Sequence, residues 1–139
     1  MTLAMNRDEL TDYMEEVFPQ IRNDFAIDEL TEDTVIVRLL TDERHLRPGG
    51  TVSGPSMFAL ADVAVYAMVL ARIGKKALAV TTNCSLDFMR KPEAGRDVIA
   101  ECRLLKLGRV LAVADVLMFS EGGDKPVARA TLTYSIPPR

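Results

Sequence analysis

The sequence predicts an α+β domain in which a long, curved antiparallel sheet wraps around one apolar helix, and three observations carry that prediction. Residues 54–73, GPSMFALADVAVYAMVLARI, are apolar on nearly every side, so a helix there must be enclosed by protein. Four later runs, ALAVTTNCSLDFM, GRDVIAECRLLKL, RVLAVADVLMFS and KPVARATLTYSI, alternate or are rich in β-branched residues, with KPEAG, KLG and EGGD as the turns between them. Ahead of the helix stand a capped amphipathic segment and a hairpin pattern. A chain of 139 residues has room for one core, and no repeat or linker divides it, so residues 1–139 read as a single domain.

The elements follow in chain order. Asn6 with Glu9 three positions later makes a capping box, and Leu10, Tyr13, Met14, Val17 and Ile21 recur at helical spacing, so the first helix is expected over about 6–22. FAIDEL and TVIVRLL, joined by the polar TED, read as a hairpin. TDERHLRPGG is a charged loop. The central helix is expected over about 55–73: Ser53 caps it, Pro55 suits its first turn because a missing N–H costs nothing there, and Gly74 stops it.

Composition excludes several classes of function. With 48% hydrophobic and 27% charged residues the chain reads as a folded soluble protein, and no long uncharged apolar stretch is expected to span a bilayer. A net charge of -3 gives no general attraction to nucleic acid, although a local basic patch could hold a phosphate-bearing ligand. The opening MTLAMNRDEL lacks the pattern of a secretory signal, which makes the cytoplasm the expected location. Cys84 and Cys102 are far apart and read as buried free thiols, and His45, the single histidine, reads as a surface residue. No metal site and no cofactor are expected.

One residue does not fit a helix that belongs in a core. Asp62 lies roughly two turns past Gly54, too far for the helix N-terminus to stabilise it strongly. A carboxylate among apolar neighbours either pairs with a basic side chain, reaches solvent at a gap in the sheet, or is held in a hydrogen-bond network that suits proton transfer or attack on carbon.

RPGGTVSGPSMFALADVA, then AVTTNCSLDFMRKPEAG, then GRVLAVADVLMF resemble the phenylacetate-degradation type of hotdog-fold acyl-CoA thioesterase, with similarity from about Asp24 to Tyr134. The resemblance implies a hotdog fold, a sheet continuous across a dimer, and a doubling of that dimer to a tetramer. It implies Asp62 as nucleophile or as general base for water, the Gly54 backbone N–H as donor to the thioester oxygen, and Thr81 as a hydroxyl supplied near the attacking water by the other subunit. On that reading Gly54 and Asp62 come from one chain and Thr81 from its partner. Thioester hydrolysis asks for this set: a base or nucleophile on one side of the carbonyl and donors for the developing oxyanion on the other.

The chain departs from the family pattern at Arg47, Ser53 and Pro55, where an amide side chain, a histidine and a second glycine are usual. Arg47 either holds Asp62 ionised or ties it up as a salt-bridge partner. Ser53 still caps the helix and could touch substrate, and Pro55 removes one donor but leaves the Gly54 N–H. Tyr66, one turn beyond Asp62, is placed to hydrogen-bond it, line an acyl pocket or pack in the core. Phe58, Met57, Met68 and Met89 read as core or acyl-pocket lining, and Arg90 and Lys91, with Arg103, Lys106 and Arg109, as phosphate contacts for coenzyme A or as solvated strand ends. The expected activity is hydrolysis of a small aromatic or short- to medium-chain acyl-CoA. The rival is a non-catalytic acyl-CoA or acyl-chain binding protein; a hotdog dehydratase is disfavoured because only His45 is available.

Overall fold

The computed structural model describes residues 3–138. Helix α1 spans Arg7–Val17, with the Asn6 side chain accepting from the Glu9 N–H at 2.8 Å and the Glu9 carboxylate accepting from the Asn6 N–H at 3.0 Å. It ends earlier than its apolar spacing suggests, because Pro19 disfavours helical geometry at Phe18 and offers no N–H of its own. Pro19–Ile21 continues as a single 3-10 turn that keeps Ile21 buried in the helical register. Strands β1 (Phe25–Leu30) and β2 (Thr34–Leu39) form the expected hairpin, closed by the Thr31 N–H on the Thr34 carbonyl at 2.8 Å.

Helix α2, Gly54–Ile73, begins at the Ser53 cap and stops at Gly74, whose φ of 90° only glycine adopts without strain. By length and composition it could cross a membrane, contrary to the sequence expectation, but its apolar sides are covered by the sheet instead. Strands β3 (Val80–Phe88), β4 (Val98–Leu107), β5 (Leu111–Ser120) and β6 (Ala128–Ser135) complete a wholly antiparallel sheet of order β1-β2-β4-β5-β6-β3. Its inner face alternates large with small residues across strands: Met118 stands between Ala100 and Ala128, Leu132 opposite Ala114, and Tyr134 opposite Ala112. Small partners leave room for Leu60, Val65, Met68 and Leu70 of α2, all fully buried, to settle into the curved sheet. Each such side chain contributes roughly 1.5–3 kcal/mol by leaving water.

Two departures from regular geometry position the site. In β3 the register against β6 slips between Thr81 and Asn83, so Thr82 is a bulge. Period-two alternation would otherwise put Thr81 and Cys84 on opposite faces; the extra residue lets Thr81, Cys84 and Leu86 all turn inward. The outer edge of β3 has no strand beside it among the described residues, although Val80 is 55% and Phe88 53% exposed. On the opposite side of the fold Arg38 ties β2 to Asp28 (3.1 Å), Asp97 (3.0 Å) and Glu121 (2.7 Å).

Candidate active site

Asp62 projects from α2 toward the end of the sheet where β6 and β3 close over the helix. Thr81 and Tyr134 are direct cross-strand partners there, and both point inward. Their hydroxyls converge on the same oxygen: Thr81 Oγ1 donates to Asp62 Oδ1 at 2.5 Å, and Tyr134 Oη donates to it at 2.7 Å, with the Asp62 carbonyl 3.1 Å from the phenol. Asp62 Oδ2 has no hydrogen-bond partner among the described residues, and it is not among the buried atoms lacking one, so water reaches it. Burial first, and the neighbouring Asp62 charge second, push the Tyr134 phenol well above its ordinary range, so it stays a donor. The same two causes raise the Cys84 thiol nearby.

The carboxylate opens on a hollow of about 330 Å³ whose other walls include Val17, Phe18, Val63, Tyr66, Ala79 and Val80. Most of the residues in its walls are apolar or aromatic. Tyr66 and Tyr134 rings lie 6.1 Å apart, and Phe18 meets Tyr66 edge-on at 6.4 Å. The Tyr66 hydroxyl donates to the Ala77 carbonyl at 2.8 Å, so of the roles open to it in sequence the structure selects the wall of this hollow, not a bond to Asp62.

Gly54 opens elsewhere, on a second hollow of about 410 Å³ that also gathers Arg47, Met57, Phe88, Met89, Arg90 and Lys91. A Cβ on Gly54 would sit 3.2 Å from the Phe88 ring, which explains a glycine at this helix start. Ser56 N–H is taken by the Ser53 hydroxyl at 3.3 Å, Met57 N–H bonds the Ser53 carbonyl at 3.1 Å, and Pro55 has none. The Gly54 N–H is the donor left unpaired by the chain among the described residues of this turn.

These positions correct several expectations. Thr81 belongs with the Asp62 of its own chain and does not need a partner to reach it. Gly54 and Asp62 do not share a hollow: eight residues separate them, about 12 Å along a helix axis. Arg47 makes no ion pair with Asp62 and stands with Gly54 instead. Ser53 is occupied in capping, while Pro55 and Phe58, the latter 42% exposed, line neither hollow. Met57 and Met89 line the Gly54 hollow, and Met68 is core. Arg90 and Lys91 reach the Gly54 hollow, but Arg103 lies on the outer sheet face, in a groove of about 670 Å³ shared with Glu101, Asp115 and Leu117. That groove is the larger, yet it is far from both Asp62 and Gly54, and its side chains answer one another, as Arg129 does Asp87 at 2.9 Å. His45 is buried, not exposed: Nδ1 accepts from the Asp42 N–H at 2.9 Å, so Nε2 carries the proton that faces Asp24 at 3.0 Å. Cys102 is buried as expected and Cys84 only partly so.

Sequence reasoning misses Tyr134. An inward tyrosine near a strand end reads as core, and the one signal available is that a buried phenol requires a partner. Phe18 and Val17 are missed as walls because helical spacing continues past Pro19 while the helix does not.

The model of the Thioesterase superfamily matches residues 49–127, the stretch that holds Gly54, Asp62 and Thr81. The chain belongs to the thioesterase superfamily. A Pseudomonas aeruginosa protein provisionally assigned as an esterase is 34% identical over 104 residues, covering 74% of this chain and 75% of that protein. Among solved structures, a provisionally assigned thioesterase from Silicibacter sp. TM1040 is 67% identical with a TM-score of 0.94, covering 99% of this chain and 96% of the other. The N33D mutant of the phenylacetic acid degradation protein PaaI from Thermus thermophilus is 28% identical with a TM-score of 0.73, covering 86% and 99% respectively. The fold is therefore the hotdog fold of thioesterases, and the enzyme is a thioester hydrolase, which displaces the reading as a non-catalytic binder.

Proposed function

We propose that the enzyme hydrolyses an acyl-CoA thioester carrying a small aromatic or short- to medium-chain acyl group, with Asp62 as general base for water. The observation that carries this is the carboxylate itself, anchored through Oδ1 and open through Oδ2 on a hollow lined mostly by apolar and aromatic residues. A water bridging Oδ2 and the lone pairs of Thr81 has two acceptors that fix it. Oδ2 takes a proton as the water oxygen bonds to the thioester carbon. The carbonyl oxygen becomes anionic, the C–S bond then breaks, and the departing thiolate takes the proton back.

The oxyanion donor comes from a second copy. Thr81 marks one end of β3, beside Asp62, and Phe88 marks the other, against Gly54. Two β3 edges paired antiparallel about a two-fold axis set the Thr81 end of one chain beside the Phe88 end of the next. That pairing covers an exposed apolar edge and brings Gly54 of the partner subunit toward Asp62. Arg47, Arg90 and Lys91, gathered at the Gly54 hollow, then suit the phosphates of coenzyme A.

The test is steady-state hydrolysis of a panel of aromatic and aliphatic acyl-CoAs by the wild type and Asp62→Asn. Asn keeps an acceptor for Thr81 and Tyr134 but cannot take a proton. A fall in kcat of about 10²–10⁴ with the fold intact supports the proposal; undiminished turnover by a folded Asp62→Asn sinks it.

A further inference from the structure

We propose that Tyr134 is a positioning residue for catalysis, which acts with Thr81 to hold Asp62 Oδ1 and so commits the reaction to Oδ2. The inference rests on the reading of Asp62 as the base. Tyr134 lies outside residues 49–127, the span matched by the family model. The residue is 3% exposed, and its strand is flanked by β5 on one side and β3 on the other, so it is the better fixed of the two donors. Thr81 is on the edge strand, next to the bulge at Thr82.

Both donors meet one oxygen, and that asymmetry is the point. The terminal torsion of an aspartate is broad, so a carboxylate without fixed partners sweeps its two oxygens through many orientations. Two hydroxyls on Oδ1 stop that rotation and present Oδ2 to the hollow. The phenol keeps its proton because it is buried and beside a negative charge, so it cannot compete as a base. A purely structural tyrosine would need one acceptor, and the Asp62 carbonyl at 3.1 Å already offers one.

Tyr134→Phe keeps the ring and removes the donor. The expected result is a loss in kcat of at least about tenfold with KM changed less than about twofold, since misplacement of a reacting group acts on the chemical step. Tyr134→Phe combined with Thr81→Val should fall to the level of Asp62→Asn. If Tyr134→Phe retains full kcat while Asp62→Asn is inactive, the positioning role is wrong and the base survives. If Asp62→Asn retains kcat, the base itself is wrong. Should the Phe variant not fold, 2,3-difluorotyrosine at position 134 keeps shape and donor while strengthening the bond; a kcat that changes severalfold at constant KM supports the proposal, and an unchanged kcat overturns it.

Discussion

Gly54→Pro and Asp62→Asn, each made in a separate copy and brought together in the proposed dimer, report which chains would build the active site. The backbone at Gly54 accepts proline: the first turn of a helix tolerates it, Ser53 already has the extended backbone, φ -75° and ψ 157°, that a residue before proline prefers, and the Cβ, 3.2 Å from the Phe88 ring, asks only an exposed side chain to shift slightly. The one N–H removed has no partner within the chain among the described residues. Losing an oxyanion donor costs about 3 kcal/mol, or roughly 10²–10³ in kcat, and losing the base costs about as much. Each homodimer therefore keeps about 1% activity or less. In a heterodimer of the proposed arrangement, one site receives both defects and the other receives neither, so specific activity returns to about half of wild type per dimer. The assay is co-expression with two affinity tags, sequential purification of the mixed dimer, and acyl-CoA hydrolysis. If both groups came from one chain, each site of the mixed dimer would carry one defect and recover nothing. A mixed dimer no more active than its parents refutes the cross-chain argument.

Three further outcomes follow from the structure. Phe18→Ala removes a wall of the Asp62 hollow that contributes about 1 kcal/mol of aromatic contact, so KM for aryl acyl-CoAs should rise roughly fivefold while kcat holds. Arg38→Met strands three carboxylates, Asp28, Asp97 and Glu121; with the arginine side chain 24% exposed, the loss should be about 2 kcal/mol, or about 6 °C in a thermal melt. Burial raises the Cys102 thiol from 9.0 to about 12. Its folded value being the higher, its contribution to stability is complete below about pH 9 and is lost as the pH rises toward 12. Urea titrations at about pH 8 and pH 10.5 should show wild type losing about 2 kcal/mol more than Cys102→Ala between them.

Much of the fold is legible in the sequence because its strongest signals are local. Ser53, Pro55 and Gly74 bracket α2, and an apolar circumference requires a sheet around it. Asp62 is legible for the opposite reason, as a local contradiction. The separation of Gly54 from Asp62 is also available, since eight helical residues are about 12 Å whatever the surroundings. What sequence periodicity does not contain is pairing. The alternation in ARATLTYS says that Tyr134 faces inward, but only the register, Thr81 opposite Tyr134, reveals that it meets the carboxylate. A bulge at Thr82 is likewise invisible in a run of polar residues, although it decides which face Thr81 occupies. His45 misleads because charged loops usually lie in water; Asp42 and Asp24 supply the partners that let it be buried.

The position of Asp62 also explains how an apolar helix tolerates it. Further along α2, every residue from Ala67 to Ala71 is fully buried beneath the sheet and the N-terminal segment, and a carboxylate there would need charged or hydroxyl partners in place of alanines and valines. At Asp62 the covering strands are β6 and the free-edged β3, and the hollow reaches solvent, so one oxygen is satisfied by hydroxyls and the other by water. Moving the acid one turn onward, by Asp62→Ala with Tyr66→Asp, separates these requirements. The carboxylate at position 66 is too short to reach where the Tyr66 hydroxyl now meets the Ala77 carbonyl, and it would lose the Thr81 and Tyr134 donors. Such a protein should be less stable than the Asp62→Ala single variant by about 1–3 kcal/mol, measured by urea denaturation, and should show no turnover. Recovery of hydrolysis by the relocated acid would mean that any carboxylate at this hollow suffices, and the argument from fixed geometry would fail.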